Sequence, residues 1–174
     1  MKFNTILLVI ILVASHGYCQ SAEKKAWKSS VSNVQLFFDS NWELITPYLD
    51  TPDKIIVALV DKNDRCGFVI KVTNDVSKKE LSDDAYYGAI KEQMLEANNA
   101  NKLLREDDYV LKKNIYRRLI FSMHTSFGKI YHTVFIRRNG IKMTGIQISY
   151  PTRLVNDPSQ LPEKTKKLLD AAVF

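Results

Sequence analysis

The side chains of this chain that could do chemistry are few, and their spacing matches no familiar catalytic set. His124 and His132 lack the partners that a metal site needs. Zinc takes three or four ligands at recognisable spacing, and here there is no second His at i+4 and no cysteine pair. His132 falls among apolar neighbours and reads as a hydrogen-bonded structural histidine. Cys66 follows Arg65, whose charge could favour a thiolate nucleophile. As a small residue at a strand start, it reads more simply as packing. The acidic pairs are Asp83-Asp84 and Asp107-Asp108. Glycoside hydrolysis needs two carboxylates across one cleft. Neighbours on a strand point to opposite faces, which suits Asp107-Asp108 poorly. Asp83-Asp84 follows Ser82 and reads as a helix start. No G-x-S-x-G elbow, glycine-rich phosphate loop or H-E-x-x-H is present. The residues therefore predict neither an enzyme nor a bound metal or cofactor.

The elements that would position these residues follow from pattern. Val34–Phe38, Lys54–Val60 and Gly67–Thr73 read as strands, the last two as a hairpin around an Asp61–Arg65 turn. Trp42 reads as a plug at one end of the core. A helix starts at Ser82 with Tyr86, Ala89, Ile90, Gln93, Met94 and Ala97 on one face, and ends near Asn98-Asn99. Four strands follow, Leu103–Val110, Asn114–His124, Lys129–Arg138 and Ile141–Tyr150. Asn139-Gly140 marks a tight hairpin between the last two. Pro151 ends the run because it cannot donate to a ladder. A closing helix covers Leu161–Ala172, with Pro162 in its first turn and Val173-Phe174 tucked against the body. Short turns imply antiparallel pairing.

The Asn139-Gly140 turn sets a register, with Arg138 opposite Ile141 and Arg137 opposite Lys142. A four-residue Thr125–Gly128 loop would place Tyr116 opposite Arg137. One face then carries Leu119, Phe121, Val134, Ile136 and Met143; the other carries Ile120, Phe135, Ile146, Ile148 and Tyr150. Both are apolar, so helices should cover both. The expected class is α+β: a mostly antiparallel sheet of about six or seven strands between helices, an α/β/α sandwich. The same register gathers Tyr116, Arg118, Arg137 and Lys142 at one end of the second face. Guanidinium forks suit carboxylates and phosphates, so this cluster is the candidate binding site for a small anion or a protein partner. Exposed charge at a strand end also keeps a sheet edge soluble.

The N-terminus gives an address. Lys2 precedes the apolar run Ile6–Ala14, and Ser15, Gly17 and Cys19 are small residues at cleavage positions, the layout of a secretory signal over 1–19. The run is too short to span a bilayer, so no transmembrane segment should remain after cleavage. The protein is expected to be secreted or periplasmic. Cleavage after Cys19 leaves Cys66 as a lone thiol; earlier cleavage keeps both cysteines and permits a bridge; a lipid-modified Cys19 is the third alternative, for which the bulky Tyr18 before it is a poor signal. Removing the signal leaves about 155 residues, one domain's worth, with residues 20–33 a polar lead-in and 34–174 a single domain. The net charge of +6 favours anionic partners weakly. Without a recognition helix or aromatic stacking motif, it does not indicate nucleic acid.

Several of these features occur together in one known family. The opening Phe37-Phe38 strand with Trp42 soon after, the hairpin before the Ser82 helix, the Tyr116–Tyr150 meander ending Ser149-Tyr150-Pro151, and the terminal helix closing on Val173-Phe174 resemble the PsbP/DcrB-like superfamily. Asp39-Ser40-Asn41 stands where that family usually has Pro-Asp-Gly. The resemblance implies an α/β/α sandwich and a non-enzymatic binding, assembly or chaperone-type role, often in exported bacterial proteins. It brings no shared functional residue. Two other functions remain open on the residues: a carrier of a small apolar ligand between helix and sheet, and a hydrolase using Cys66 or a carboxylate.

Overall fold

The computed structural model describes residues 24–74, 80–97, 100–126 and 128–174. The expected signal, its Cys19 and the Asn98-Asn99 pair lie outside these. Strands β1 (Lys25–Lys28) and β2 (Gln35–Phe38) pair antiparallel as a small separate sheet. Then come β3 (Trp42–Leu44), β4 (Leu49–Thr51), β5 (Lys54–Asp61) and β6 (Cys66–Asn74). Helix α1 (Asp83–Glu96) precedes the meander β7 (Lys102–Leu111), β8 (Asn114–Thr125), β9 (Gly128–Asn139) and β10 (Lys142–Pro151). Helix α2 (Glu163–Ala171) closes the chain. The fold is α+β, with an eight-stranded antiparallel sheet in the order β3-β5-β6-β10-β9-β8-β7, where β4 also pairs with β5.

The expected six or seven strands are an undercount. Strands β1, β3 and β4 are three or four residues long, too short to show a period of two. Strand β1 falls in the stretch read as polar lead-in. Its Trp27 is 6 % exposed and packs in the core.

The hairpin between β9 and β10 also differs from expectation. Arg137 faces Thr144 and Lys142 faces Asn139, so the register is displaced by two residues from the expected Arg137–Lys142 pairing. Gly140 takes the positive φ of 62° and is the first central residue of the turn, followed by Ile141, so the turn closes one residue later than an Asn-Gly turn would. A displacement by two keeps every side chain on its expected face. The β8–β9 register is as expected, with Thr125 opposite Gly128.

Alternation divides the core into two clusters. Val57, Leu59, Phe68, Ile70, Phe135, Ile146, Ile148 and Tyr150 pack with Trp27, Leu36 and with Leu168 and Leu169 of α2. Leu119, Phe121, Val134, Ile136 and Met143 pack with Tyr86 of α1, with Ile90 and Met94 half-buried beside them. Ser82 caps α1 through its hydroxyl, which accepts from the Ala85 amide at 3.2 Å. Tyr86 is the only buried residue of α1. The C-terminus is tied in by Val173, which exchanges backbone hydrogen bonds of 2.8 and 2.9 Å with Gln35.

Candidate functional site

The four residues singled out by sequence have different surroundings. Tyr116 is 1 % exposed, with its ring edge-on to Phe174. Burial raises its hydroxyl pKa, and the charge and hydrogen bond of Arg137 pull it back. Arg118 is buried and fully engaged. It donates from Nε and Nη2 to Asp107 at 2.8 and 2.6 Å and from Nη1 to the Ser159 carbonyl at 3.1 Å, and it lies over the Tyr109 ring. This bidentate pair holds the Asp107 carboxyl below its usual range. Arg137 is half-buried beside Tyr116, and Lys142 is exposed opposite Asn139. The fold thus joins Tyr116 with Arg137, pairs Arg118 with Asp107, and leaves Lys142 at the turn.

The candidate nucleophile and the histidines are also separated. Cys66 is 2 % exposed, and burial pushes its thiol up to about 11, so little thiolate forms at neutral pH. His132 and His124 project from opposite faces of the sheet. His132 Nδ1 is 2.7 Å from the Ser149 hydroxyl. Its Nε2 is buried with no hydrogen-bond partner, and burial pushes its pKa down to about 4. Among the described residues, no group of three or more His, Cys, Asp or Glu side chains could hold a metal ion.

A separate concave surface lies elsewhere. A pocket of about 740 Å³ opens at one end of the sheet, between the β5–β6 turn and the β8–β9 turn, where β10 ends between them. Its apolar lining includes Val60, Ile130 and Pro151, with Gly67 and Ser149 between them. Four cations line it, Lys62 and Arg65 from one turn, Lys129 from the other, and Arg153 beyond β10. None of the described lining residues is acidic. Lys62 is ion-paired with Glu43 outside the pocket.

Sequence reasoning missed this site because its cations are spread over 62, 65, 129 and 153. Only the strand order β5-β6-β10-β9-β8 brings those turns together. One local signal was available in Gly67. Its φ is not in the left-handed region, and a Cβ there would meet only the Ser149 Cβ, at 3.9 Å, an ordinary contact. Neither the backbone nor the packing requires a glycine, and in a strand such a residue often marks close approach by a ligand.

No family model matches the chain, and no curated protein does. Solved structures do. The solution structure of cyanobacterial PsbP (CyanoP) from Synechocystis sp. PCC 6803 superposes with a TM-score of 0.57 at 14 % identity, covering 88 % of this chain and 93 % of that one. The Saccharomyces cerevisiae Ran-binding protein Mog1p superposes with a TM-score of 0.52 at 12 % identity, covering 87 % and 95 %. At such low identity the likeness concerns the fold, and the order of strands and helices given above is what it rests on. The chain has the PsbP-like fold.

Proposed function

We propose that this protein is an exported, non-enzymatic binding or assembly module, and that its contact site is the basic pocket at the end of β10. The observation that carries the reading is a concave, partly apolar surface lined by four cations and no described acid. Pockets of a few hundred Å³ with an apolar lining and a few polar groups are the usual form of a small-ligand site. The likeness to a Ran-binding protein supports a binding role for this fold. The buried thiol of Cys66 and the separated histidines favour it over the hydrolase. In this reading α1 and α2 lie on opposite faces of the sheet, as the two separate clusters suggest. Arg137 and Lys142 form an auxiliary contact at the other end.

Export is tested by the mass of the protein recovered from producing cells. A chain starting near Gln20 is expected in the secreted or periplasmic fraction, and an intact Met1 start confined to the cytoplasmic fraction would overturn it. The contact site is tested by capture from an extracytoplasmic extract. Wild-type protein should retain a ligand or partner that the Lys129→Glu/Arg153→Glu variant loses at unchanged melting temperature. Identical capture by both would remove the pocket from the proposal. Arg137→Glu/Lys142→Glu should weaken capture less.

A further inference from the structure

The chemistry of the pocket narrows its occupant. Building on the contact site proposed above, we infer that the occupant is a small amphipathic carboxylate, a hydrocarbon body with one acidic head. Two features of the lining point in different directions and together leave few ligand classes. Lys129 and Arg153 come from two separate chain segments, and the described lining holds no carboxylate. Lys62 of the β5–β6 turn pairs with Glu43, and the pair is largely solvent-exposed. Like charges from two segments at one concavity repel each other, and an anion relieves that repulsion. A neutral ligand would leave it in place.

Between these cations the surface is apolar and low. Val60, Ile130 and Pro151 lie around Gly67, whose missing side chain deepens the floor without any conformational reason for its absence. A compact inorganic anion would cover this hydrocarbon without gaining from it, because burial of apolar area is what stabilises an apolar ligand. Hydroxyls at Ser126, Ser149 and Thr152 can donate to a carboxylate. Ser149 also contacts His132, so its hydroxyl is held in place by a buried ring.

Decanoate is the probe, with decan-1-ol as its neutral counterpart and acetate and inorganic phosphate as heads without a body. Isothermal titration of the full mature protein should show decanoate binding with a Kd below about 100 μM. Decan-1-ol should bind about tenfold or more weakly, and acetate and phosphate should give no measurable heat. Lys129→Gln/Arg153→Gln should weaken decanoate by about tenfold and leave decan-1-ol unchanged. Gly67→Leu should abolish binding of both, at an unchanged or higher melting temperature. Equal binding of acid and alcohol would overturn the inference, as would phosphate binding as tightly as decanoate. Absence of decanoate binding also overturns it. If extract capture still depends on Lys129 and Arg153 in that case, the pocket stands as a contact site for another class, such as an acidic protein segment. If capture is lost from neither variant, the contact site itself falls.

Discussion

Strands β6 and β10 run side by side through the middle of the sheet, yet their two faces have little in common. Toward α2 they present Phe68, Ile70, Ile146, Ile148 and Tyr150, each 0 % exposed. Toward the other side the same strands present Gly67, Val69, Lys71, Gly145, Gln147 and Ser149, most of them half-exposed. Backbone, twist and hydrogen bonding are shared, so the contrast is entirely one of side chains and cover. Leu168 and Leu169 of α2 pack in the cluster that holds the first five side chains, while Tyr86 of α1 packs in the other cluster. One face holds the fold together. The second has been left shallow over β5 and β6, and the pocket opens there.

The largest effect that would break this contrast is a core truncation. Phe68→Ala removes a fully buried ring from the α2 side and should cost about 3–5 kcal/mol, read as a lower urea midpoint. Val69→Ala, one residue along and on the half-open face, should cost less than about 1 kcal/mol. Comparable losses at both positions would mean that the second face is as heavily used for stability as the first.

The next effect is smaller and depends on pH. His132 lies on the shallow side, and burial holds its folded pKa at about 4 against 6.5 for a free histidine. The unfolded chain therefore binds a proton between pH 6.5 and 4 that the folded chain resists. This group's contribution is complete above pH 6.5 and is lost progressively as pH falls to 4, amounting to about 3 kcal/mol across the window. Urea midpoints measured from pH 7 to 4 should fall in the wild type and fall less steeply in His132→Gln. Parallel slopes would show that His132 is not buried as a neutral ring. Such a result would weaken the picture of a polar but closed layer beneath Ser149.

Sequence reasoning read one of these regions well and the other poorly, for physical reasons. The meander from β7 to β10 was legible because its strands are ten to twelve residues long and are separated by short turns such as the one at Gly140. Tyr116, Ile146 and Tyr150 were placed on the correct face even though the β9–β10 turn closes one residue late. Short strands escaped: β3 and β4 carry too few residues for any periodicity, and β1 had only Trp27 as a sign. The basic cluster expected around Arg118 could be placed by register, but pattern gives no sign that Asp107 would satisfy that arginine. The pocket required the strand order, which depends on β10 pairing back onto β6 across the whole α1–β9 insertion. That is a long-range contact with no local signature.

The smallest effect is the sharpest test of what the shallow face is for. Glycine within a strand costs roughly 0.5–1 kcal/mol relative to a residue with a side chain, because the unfolded chain gains freedom and the folded chain gains no packing. At Gly67 no positive φ requires it, and a Cβ fits at 3.9 Å from Ser149. Gly67→Val should therefore raise stability by about 0.5–1 kcal/mol, measured as a higher urea midpoint at unchanged slope. The added isopropyl group would also occupy the floor between Val60 and Ile130 and reduce decanoate binding. A gain in stability coupled to a loss of binding is the signature of a residue kept small for a ligand. Were the variant destabilised instead, the glycine would belong to the fold, and the two faces would differ only in how closely they are packed.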